Sequence, residues 1–368
     1  MIAIRSEFDG REALDRAYRI GLEIKRNKSM SEKHIPSATI TDSYLQVDPP
    51  LVSVVMPAYN AENHIARSLR SILAQTYRNF EIIVVDDGSS DDTEGVVRAT
   101  AQDAVYVRIN NSGPAAARNE GNTHASGKYL AFLDADDLWH PRKLELQVAY
   151  LERHPDIGIV FCMWCETVPG ESVVDWEKKQ RFREPIGLKI MPEKSGWLYP
   201  DLLLDTMIHT SSVLLRKLLF DELGGFDQSL TIGEDYDLWI RLSRITEIHK
   251  LRATLSAYEK RLDPITSSPQ ALPFGSTVIR RHLYLWGRRG NDGRCAPWYQ
   301  VRKMIAQSYR NHGATHLQNG SRPIAIGSSL RSIAYDPISI GNWRGLVKAL
   351  INYKGSTGRH MATGNAER

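Results

Sequence analysis

Two aspartates, Asp134 and Asp136, follow the apolar run Tyr129–Leu133 and are separated by one residue. In an extended chain, residues two apart point to the same side, so both carboxylates can reach one cation. Mg²⁺ and Mn²⁺ prefer oxygen ligands and are often held by one or two carboxylates together with substrate phosphates. The spacing therefore predicts a site for a metal ion and a diphosphate. Capping of a helix that begins at Pro141 is the alternative, because acids are favoured near helix N-termini.

Two further polar segments follow apolar runs in the same way. Pro57–Asn60 (PAYN) follows the run Val52–Met56, and Asp86–Ser89 (DDGS) follows the run Glu81–Val85. Parallel open sheets bind their ligands at the carboxyl ends of the strands. If the runs are parallel strands, we expect the polar segments to lie along one rim.

The elements that must position these residues alternate along the chain. We predict strands at Val52–Met56, Glu81–Val85, Val105–Ile109, Tyr129–Leu133 and Ile157–Cys162, with helices at Glu62–Leu73, Asp92–Thr100, Pro114–His124 and Pro141–Leu151. This βαβαβαβαβ order is typical of an open parallel sheet with helices on both faces. Further along we predict a helix at Leu198–Asp205, a strand at Thr210–Leu215, a helix at Glu234–Arg244 and mostly helix over residues 276–353.

The chain of 368 residues is long enough for one large domain with additions. We predict an N-terminal helix and linker at residues 1–50 and a catalytic domain at residues 51–268. The domain would divide into a nucleotide-binding half, residues 51–165, and an acceptor half, residues 166–268, with an irregular, charged loop over residues 166–194. A basic, mainly helical region, residues 269–368, would follow.

Composition indicates a folded protein, with 42% apolar and 24% charged residues. No window is apolar enough to span a bilayer, and the first residues lack a signal-peptide core. We therefore predict a cytoplasmic location. The three cysteines are too few for a disulfide framework, and the single pair Cys162 and Cys165 does not complete a zinc site.

The order of these motifs resembles that of glycosyltransferase family 2, whose members have the GT-A fold and use nucleotide-sugar donors. The resemblance covers about Leu51 to Ser268. Its motifs are VSVVMPAYN, DDGS, ARN, LDADD, GGFD and GEDYDLW. It implies an α/β fold with a Rossmann-like, mostly parallel open sheet flanked by helices, extended by helical segments at both ends.

The resemblance also assigns residues to the donor nucleotide. Pro57, Tyr59 and Asn60 would lie along the nucleotide. Asp87 would accept a hydrogen bond from an N–H of a uracil- or thymine-type base, and Asp86 would support its loop. This favours UDP- or dTDP-sugars as donors.

Arg118 matches the family's arginine that reaches the nucleotide phosphates, where its fork of donors fits an anion. Its alternative is a solvated arginine on a helix. Asp136 and Asp134 match the metal motif, with Asp136 as the more direct ligand of Mn²⁺ or Mg²⁺. Asp137 would support the site or cap a helix.

Asp235 matches the family's base, which takes a proton from the acceptor hydroxyl. Glu234 would lie near the acceptor, and His209 and Trp239 are further acceptor-side candidates. For Glu234 and Asp235 the alternative is an acidic first turn of an amphipathic helix. For His209 and Trp239 the alternative is a structural role in the core.

The segment Tyr258–Arg261 falls where many relatives carry a metal- or phosphate-binding histidine, which is missing here. A third protein ligand for the metal is therefore in doubt, and Arg261 could serve the phosphates instead. The Gln-x-x-Arg-Trp motif and membrane-spanning helices of processive synthases are also absent from the sequence. This pattern predicts an enzyme that adds a single sugar.

The resemblance implies a metal-assisted, inverting transferase that moves a sugar from a nucleoside diphosphate to a saccharide or lipid-linked glycan, in cell-surface polysaccharide assembly. Two alternatives share the fold. One is a non-catalytic module that binds nucleotide sugars or glycans, and the other is a nucleotidyltransferase.

The C-terminal part carries most of the positive charge. From Pro269 onward there are fifteen Lys and Arg residues and three acids, a local net charge of +12, whereas the whole chain has +4. Apolar residues at helical spacing form a stripe there: Trp343, Leu346, Val347, Leu350 and Ile351. The pattern suits contact with an anionic inner membrane leaflet. It equally suits a helix that packs on the catalytic domain, and no motif indicates nucleic acid binding.

Overall fold

The structure, a computed structural model, describes residues 48–167, 187–259 and 269–351. These residues form two compact units. The first contains residues 48–167, 187–259 and 286–296, and the second contains residues 269–285 and 297–351. The predicted N-terminal helix and linker, most of the predicted loop, Arg261 and the end of the basic tail lie outside the described residues. The predicted domain boundaries stay predictions.

The first unit contains an eight-stranded sheet in the order β3-β2-β1-β4-β7-β6-β8-β5. The strands are β1 Val52–Ala58, β2 Phe80–Asp86, β3 Val105–Arg108, β4 Tyr129–Phe132, β5 Leu138–Trp139, β6 Ile157–Thr167, β7 Val213–Arg216 and β8 Glu247–Glu259. Strands β1 to β4 are mutually parallel, whereas β7 runs antiparallel to both β4 and β6. The mostly parallel α/β fold predicted from the sequence is confirmed.

Helices cover the sheet. They are α1 Ile65–Leu73, α2 Thr93–Thr100, α3 Pro114–Thr123, α4 Lys143–Arg153, α5 Tyr199–Leu202, α6 Lys217–Glu222 and α7 Glu234–Leu242. The predicted helices match α1 to α5 and α7, with bounds shifted by a few residues. The predicted strand at Thr210–Leu215 is wrong in its first half, because Thr210–Ser212 form a 3-10 turn before β7.

Side chains of α4 and of β5 donate hydrogen bonds to the turn Thr210–Ser212. Trp139 Nε1 donates to the Ser211 carbonyl oxygen at 2.7 Å, and Gln147 Nε2 donates to the Ser212 carbonyl oxygen at 2.8 Å. All three turn residues are buried. Because these carbonyl groups have side-chain partners, the turn is fixed although it is neither helix nor strand.

Lys143, the first residue of α4, is fully buried. Its Nζ lies 3.9 Å from the centroid of the Trp139 ring and donates to the Val213 carbonyl oxygen at 3.3 Å. Burial lowers the pKa of Lys143 to about 7. The folded protein therefore holds this lysine largely neutral above neutral pH.

We expect Lys143 to make the stability of the first unit depend on pH. Between about pH 7 and 9 the unfolded chain keeps the lysine proton that the folded chain has lost, so the free energy of unfolding rises with pH. Relative to Lys143→Met, the wild-type chain should gain about 2 kcal/mol over this interval. Urea unfolding at both pH values measures the difference. Lys128→Met, at an exposed site, is the control, and equal pH slopes for wild type and Lys143→Met would contradict the expectation.

The second unit is helical. Its helices are α8 Phe274–Trp286, whose last residue belongs to the first unit, α9 Trp298–Gln318, α10 Arg322–Tyr335 and α11 Ile340–Ile351. Arg302 on α9 donates to the carbonyl oxygens of Ala334 and Tyr335, which satisfies the end of α10. In the three described ranges, every helix is too short or too polar to cross a bilayer.

Candidate active site

The carboxyl ends of β1 and β2 are tied together by hydrogen bonds. Asn60, with a positive φ of 47°, donates through its backbone N–H to Ser89 Oγ at 2.8 Å. Its Oδ1 accepts from the Ser90 N–H, also at 2.8 Å. Gly88 has a φ of 78°, and a Cβ there would lie 3.1 Å from the Asn111 nitrogen. Asn60 therefore has a structural role, because it links the loops that follow β1 and β2. Tyr59 is 51% exposed and accessible to a ligand.

Asp86 and Asp87, at the end of β2, have different surroundings. Asp86 is fully buried, and its carboxylate accepts from Tyr106 Oη at 2.7 Å and Arg108 Nη1 at 2.8 Å. Asp87 accepts from the backbone N–H groups of Ser112 and Gly113 at 2.7 and 2.8 Å. A carboxylate has about four acceptor positions, so these two bonds leave Asp87 able to accept another donor.

Arg118 contacts two carboxylates and an aromatic ring. It lies on α3 with a side chain only 7% exposed. Its Nη2 donates to Asp134 Oδ1 at 2.7 Å and its Nη1 to Glu234 Oε1 at 2.8 Å. The guanidinium carbon also lies 5.4 Å from the centroid of the Phe226 ring. Arg118 thus joins the end of β4 to the start of α7, a role that the sequence did not indicate.

The pKa values of these groups follow from burial and charge. Burial would raise the pKa of Asp134, but the Arg118 guanidinium outweighs it and holds the pKa below its ordinary value. Burial, helped by neighbouring Asp235, raises the pKa of Glu234 despite Arg118. Burial also raises the pKa of Asp137, to which the charges of Asp134 and Asp136 contribute.

Asp235 lies in the first turn of α7 and is partly exposed. Its Oδ2 accepts from Thr210 Oγ1 at 3.0 Å, and its Oδ1 accepts from the Tyr236 N–H at 2.6 Å. The next residue of the turn, Ser211, donates through Oγ to Asp137 and accepts from the Asp134 N–H at 3.2 Å. The turn Thr210–Ser212 therefore connects Asp235 to the acids after β4.

Asp136 is partly exposed, and Asp137 is buried. The Asp136 carbonyl oxygen accepts from Arg67 Nη2 at 3.1 Å, and Arg67 also pairs with the buried Glu259. The alternative interpretation, in which Asp134 and Asp136 cap the following helix, is wrong. Helix α4 begins at Lys143, and Arg142 is its N-cap residue. These acids instead form the loop that follows β4.

Asn119 connects two of the sequence motifs. Its Nδ2 donates to the Phe226 carbonyl oxygen and its Oδ1 accepts from the Phe226 N–H, both at 2.8 Å. Gly225 has a φ of 75°, and a Cβ on it would lie 2.4 Å from Asn119 Oδ1. Only glycine fits there without strain. The paired bonds place α3, which carries Arg118, against the segment that precedes α7.

His209 lies in an aromatic cluster at the end of β6. Its ring centroid is 5.4 Å from that of Trp164 and 5.4 Å from that of Tyr258. His209 Nε2 is 3.8 Å from Asp137 Oδ2, and burial lowers the pKa of His209. Trp164 is 40% exposed, whereas Trp239 is 1% exposed and packs on Phe226. Trp164, which sequence reasoning missed, offers an aromatic surface beside the acids, and Trp239 lies in the core.

The donor set suits a divalent cation only in part. Asp134 and Asp136 are partly exposed oxygen donors, and Arg118 pairs with Asp134 and Glu234. Within the described ranges, no three His, Cys, Asp or Glu side chains converge into a complete metal site. Two carboxylates fit Mg²⁺ or Mn²⁺ if substrate phosphates supply further ligands.

The profile of Glycosyl transferase family 2 matches residues 53–221. The chain is 33% identical over 218 residues to the UDP-Glc:alpha-D-GlcNAc-diphosphoundecaprenol beta-1,3-glucosyltransferase WfgD of Escherichia coli, covering 59% of this chain and 79% of that relative. The chain belongs to glycosyltransferase family 2. An uncharacterized glycosyltransferase of Rickettsia prowazekii is 36% identical over 203 residues, 54% of this chain and 61% of the relative. The chain thus spans less than two thirds of the length of that family member.

Two solved structures share the fold of this chain. Residues 1–349 of TarS from Staphylococcus aureus align with a TM-score of 0.52 and 18% identity, covering 78% of this chain and 81% of that one. The complex of the same TarS fragment with UDP-GlcNAc aligns with a TM-score of 0.54 and 20% identity, covering 77% and 81%. At this identity the likeness supports the fold alone.

Proposed function

We propose that the protein is an inverting, metal-assisted glycosyltransferase. It transfers a sugar from a nucleoside diphosphate, with UDP- and dTDP-sugars favoured, to a hydroxyl of a saccharide or lipid-linked glycan. The observation that carries the proposal is the bridge by Arg118 between Asp134 and Glu234, next to Asp235, at the strand ends where such sheets bind ligands. The Escherichia coli relative supports it, since its name describes a UDP-Glc donor and a diphosphoundecaprenol-linked acceptor. We place the reaction in cell-surface polysaccharide assembly.

In the proposed reaction the Asp235 carboxylate accepts the proton of the acceptor hydroxyl. The hydroxyl oxygen forms a bond to the anomeric carbon while the bond from that carbon to the diphosphate oxygen breaks. The electron pair of the broken bond leaves with the nucleoside diphosphate. A single displacement of this kind inverts the configuration, through a transition state with oxocarbenium character.

The residues of the chain prepare this step by fixing the carboxylates. Thr210 Oγ1 and the Tyr236 N–H each donate to one oxygen of Asp235, which sets its orientation before the acceptor binds. Arg118 balances the charge of Asp134 and Glu234. A Mn²⁺ or Mg²⁺ ion bound by Asp136 and Asp134 would stabilise the charge on the departing diphosphate.

Donor recognition is proposed for the other end of the rim. Asp87 can accept a further hydrogen bond from a base N–H. Tyr59, in the loop that follows β1, presents an exposed ring. Pro57, Asn60 and Asp86 would shape this part of the site, the last two through the hydrogen bonds within the rim.

A donor screen tests the proposal. With Mn²⁺ present, a UDP- or dTDP-sugar at about 100 times its Kd should stabilise the chain by about 2.7 kcal/mol and raise its Tm by several degrees. Asp136→Asn should remove the metal-dependent part of the shift. Asp103→Asn, at an exposed site outside the rim, is the matched control and should behave as wild type.

Product analysis separates the alternatives. A glycosyltransferase releases a nucleoside diphosphate, whereas a nucleotidyltransferase releases pyrophosphate and a binding module releases neither. Absence of any thermal shift with every nucleotide sugar tested in the presence of metal would contradict the proposal.

A further inference from the structure

Helix α11 presents an apolar face that the second unit leaves uncovered. The side chains on this face are 48% to 72% exposed: Ile340, Trp343, Val347, Leu350 and Ile351. At about 100° per residue they occupy one stripe of the helix. The buried residues of α11 are Asn342 and Ala349, on a different side. Ile338, just before the helix, is 89% exposed. We call Ile338 and these five residues the apolar face.

A basic cavity opens next to the apolar face. It has a volume of about 440 Å³ and is lined by Lys303 and Arg310 of α9, and also by Asp336, Ile338 and Asn342. Ile338 belongs to both the cavity and the apolar face, so the two are continuous. Two cations and one acid line the cavity, which leaves a positive charge suited to a phosphate group.

The charge around the apolar face is one-sided. Residues 297–351 contain seven Lys and Arg residues and a single acid, Asp336. Arg344 and Lys348 are exposed on α11 and lie along one edge of the stripe. An apolar stripe with basic neighbours is the pattern of a helix that lies in the interface of an anionic membrane.

We propose that the apolar face and its basic cavity dock on an anionic lipid bilayer. The apolar side chains enter the boundary between headgroups and acyl chains, and Lys303 with Arg310 binds a phosphate headgroup in the cavity. Charge argues against a second copy as the occupant, because pairing this face with itself would bring two positive surfaces together. An anionic bilayer supplies an apolar layer for the apolar face and negative charge for the basic residues around it.

Binding of the full chain to vesicles tests this proposal. The protein should sediment with vesicles of equal parts phosphatidylcholine and phosphatidylglycerol, much less with phosphatidylcholine alone, and less at high salt. Val347→Ser with Ile351→Ser should weaken binding roughly tenfold or more by removing buried apolar area. Lys303→Gln with Arg310→Gln should weaken it roughly tenfold through lost charge. The measurement needs no nucleotide sugar, so its outcome is independent of the proposed catalytic function.

Matched controls lie in the first unit. Leu218→Ser removes an apolar side chain that is 66% exposed, and Arg98→Gln removes an exposed charge; neither should change vesicle binding. Failure of wild type to bind anionic vesicles, or unchanged binding by the apolar double variant, overturns the proposal. The proposal is also overturned if the wild-type protein is a dimer and Val347→Ser with Ile351→Ser makes it a monomer, since a second copy would then cover the apolar face. A Tm lowered by several degrees in the double variant would show that another part of the chain covers it, which also overturns the proposal.

Discussion

Asp235→Asn is expected to abolish most of the transfer activity while leaving donor binding intact. The amide has the size of the carboxylate and can still accept a hydrogen bond from Thr210 Oγ1, but it cannot take the proton of the acceptor hydroxyl. A positioned general base contributes about 10² to 10⁴ in rate, so kcat should fall by about three orders of magnitude. Steady-state release of nucleoside diphosphate measures the loss, and the thermal shift with donor and metal measures binding.

Thr210→Val separates the base from its orientation. The change removes the hydroxyl that donates to Asp235 Oδ2 at 3.0 Å but keeps the carboxylate. We expect kcat to fall by roughly one to two orders of magnitude, less than for Asp235→Asn, because a hydrogen bond to a charged group contributes about 1.5 to 3 kcal/mol. Retention of more than a tenth of the wild-type kcat by Asp235→Asn would remove Asp235 from the role of base.

The sequence predicted the first half of the sheet because β1, β2 and β4 are continuous apolar runs buried on both faces, and their signal is local. β8, Glu247–Glu259, was missed because buried and partly buried residues follow each other irregularly along it and it carries charged side chains. β5 has two residues and exists only through its pairing with β8. Neither signal is visible in a window of sequence.

The candidate site shows the same division between local and long-range information. The sequence placed the acids correctly at the ends of strands, because spacing and loop position are local properties. The partners of Arg118 were missed, since Glu234 lies 116 residues away along the chain and only the folded structure brings the two together. The contacts of Asn119 with Phe226 and of Thr210 with Asp235 likewise depend on how α3, α7 and the turn Thr210–Ser212 are arranged in the folded protein. Local spacing therefore indicates which loop each residue occupies, whereas the contacts of each residue require the folded structure.

Arg118→Met is expected to destabilise the first unit strongly. Removal of the guanidinium leaves Asp134 and Glu234 without their shared partner, and breaking a buried ion pair in this way costs about 3 to 5 kcal/mol. Urea unfolding of the full chain measures the cost. Arg118→Lys keeps one charge but cannot donate to both carboxylates from a planar fork, so it should recover only part of the stability and little of the activity. Unchanged stability of Arg118→Met would mean that other groups balance these acids.

The double variant Arg118→Met with Glu234→Gln tests whether the cost arises from an unbalanced carboxylate. Glu234 is the partner to change, because it is 7% exposed and burial already raises its pKa, so a neutral amide suits its surroundings. Asp134 is less suitable, since we propose that it also binds metal. The free energies of unfolding of Arg118→Met, Glu234→Gln and the double variant together give the coupling energy, which we expect to be about 1 to 3 kcal/mol for residues in direct contact. If the two changes add without coupling, the cost of Arg118→Met does not arise from an unbalanced Glu234 carboxylate.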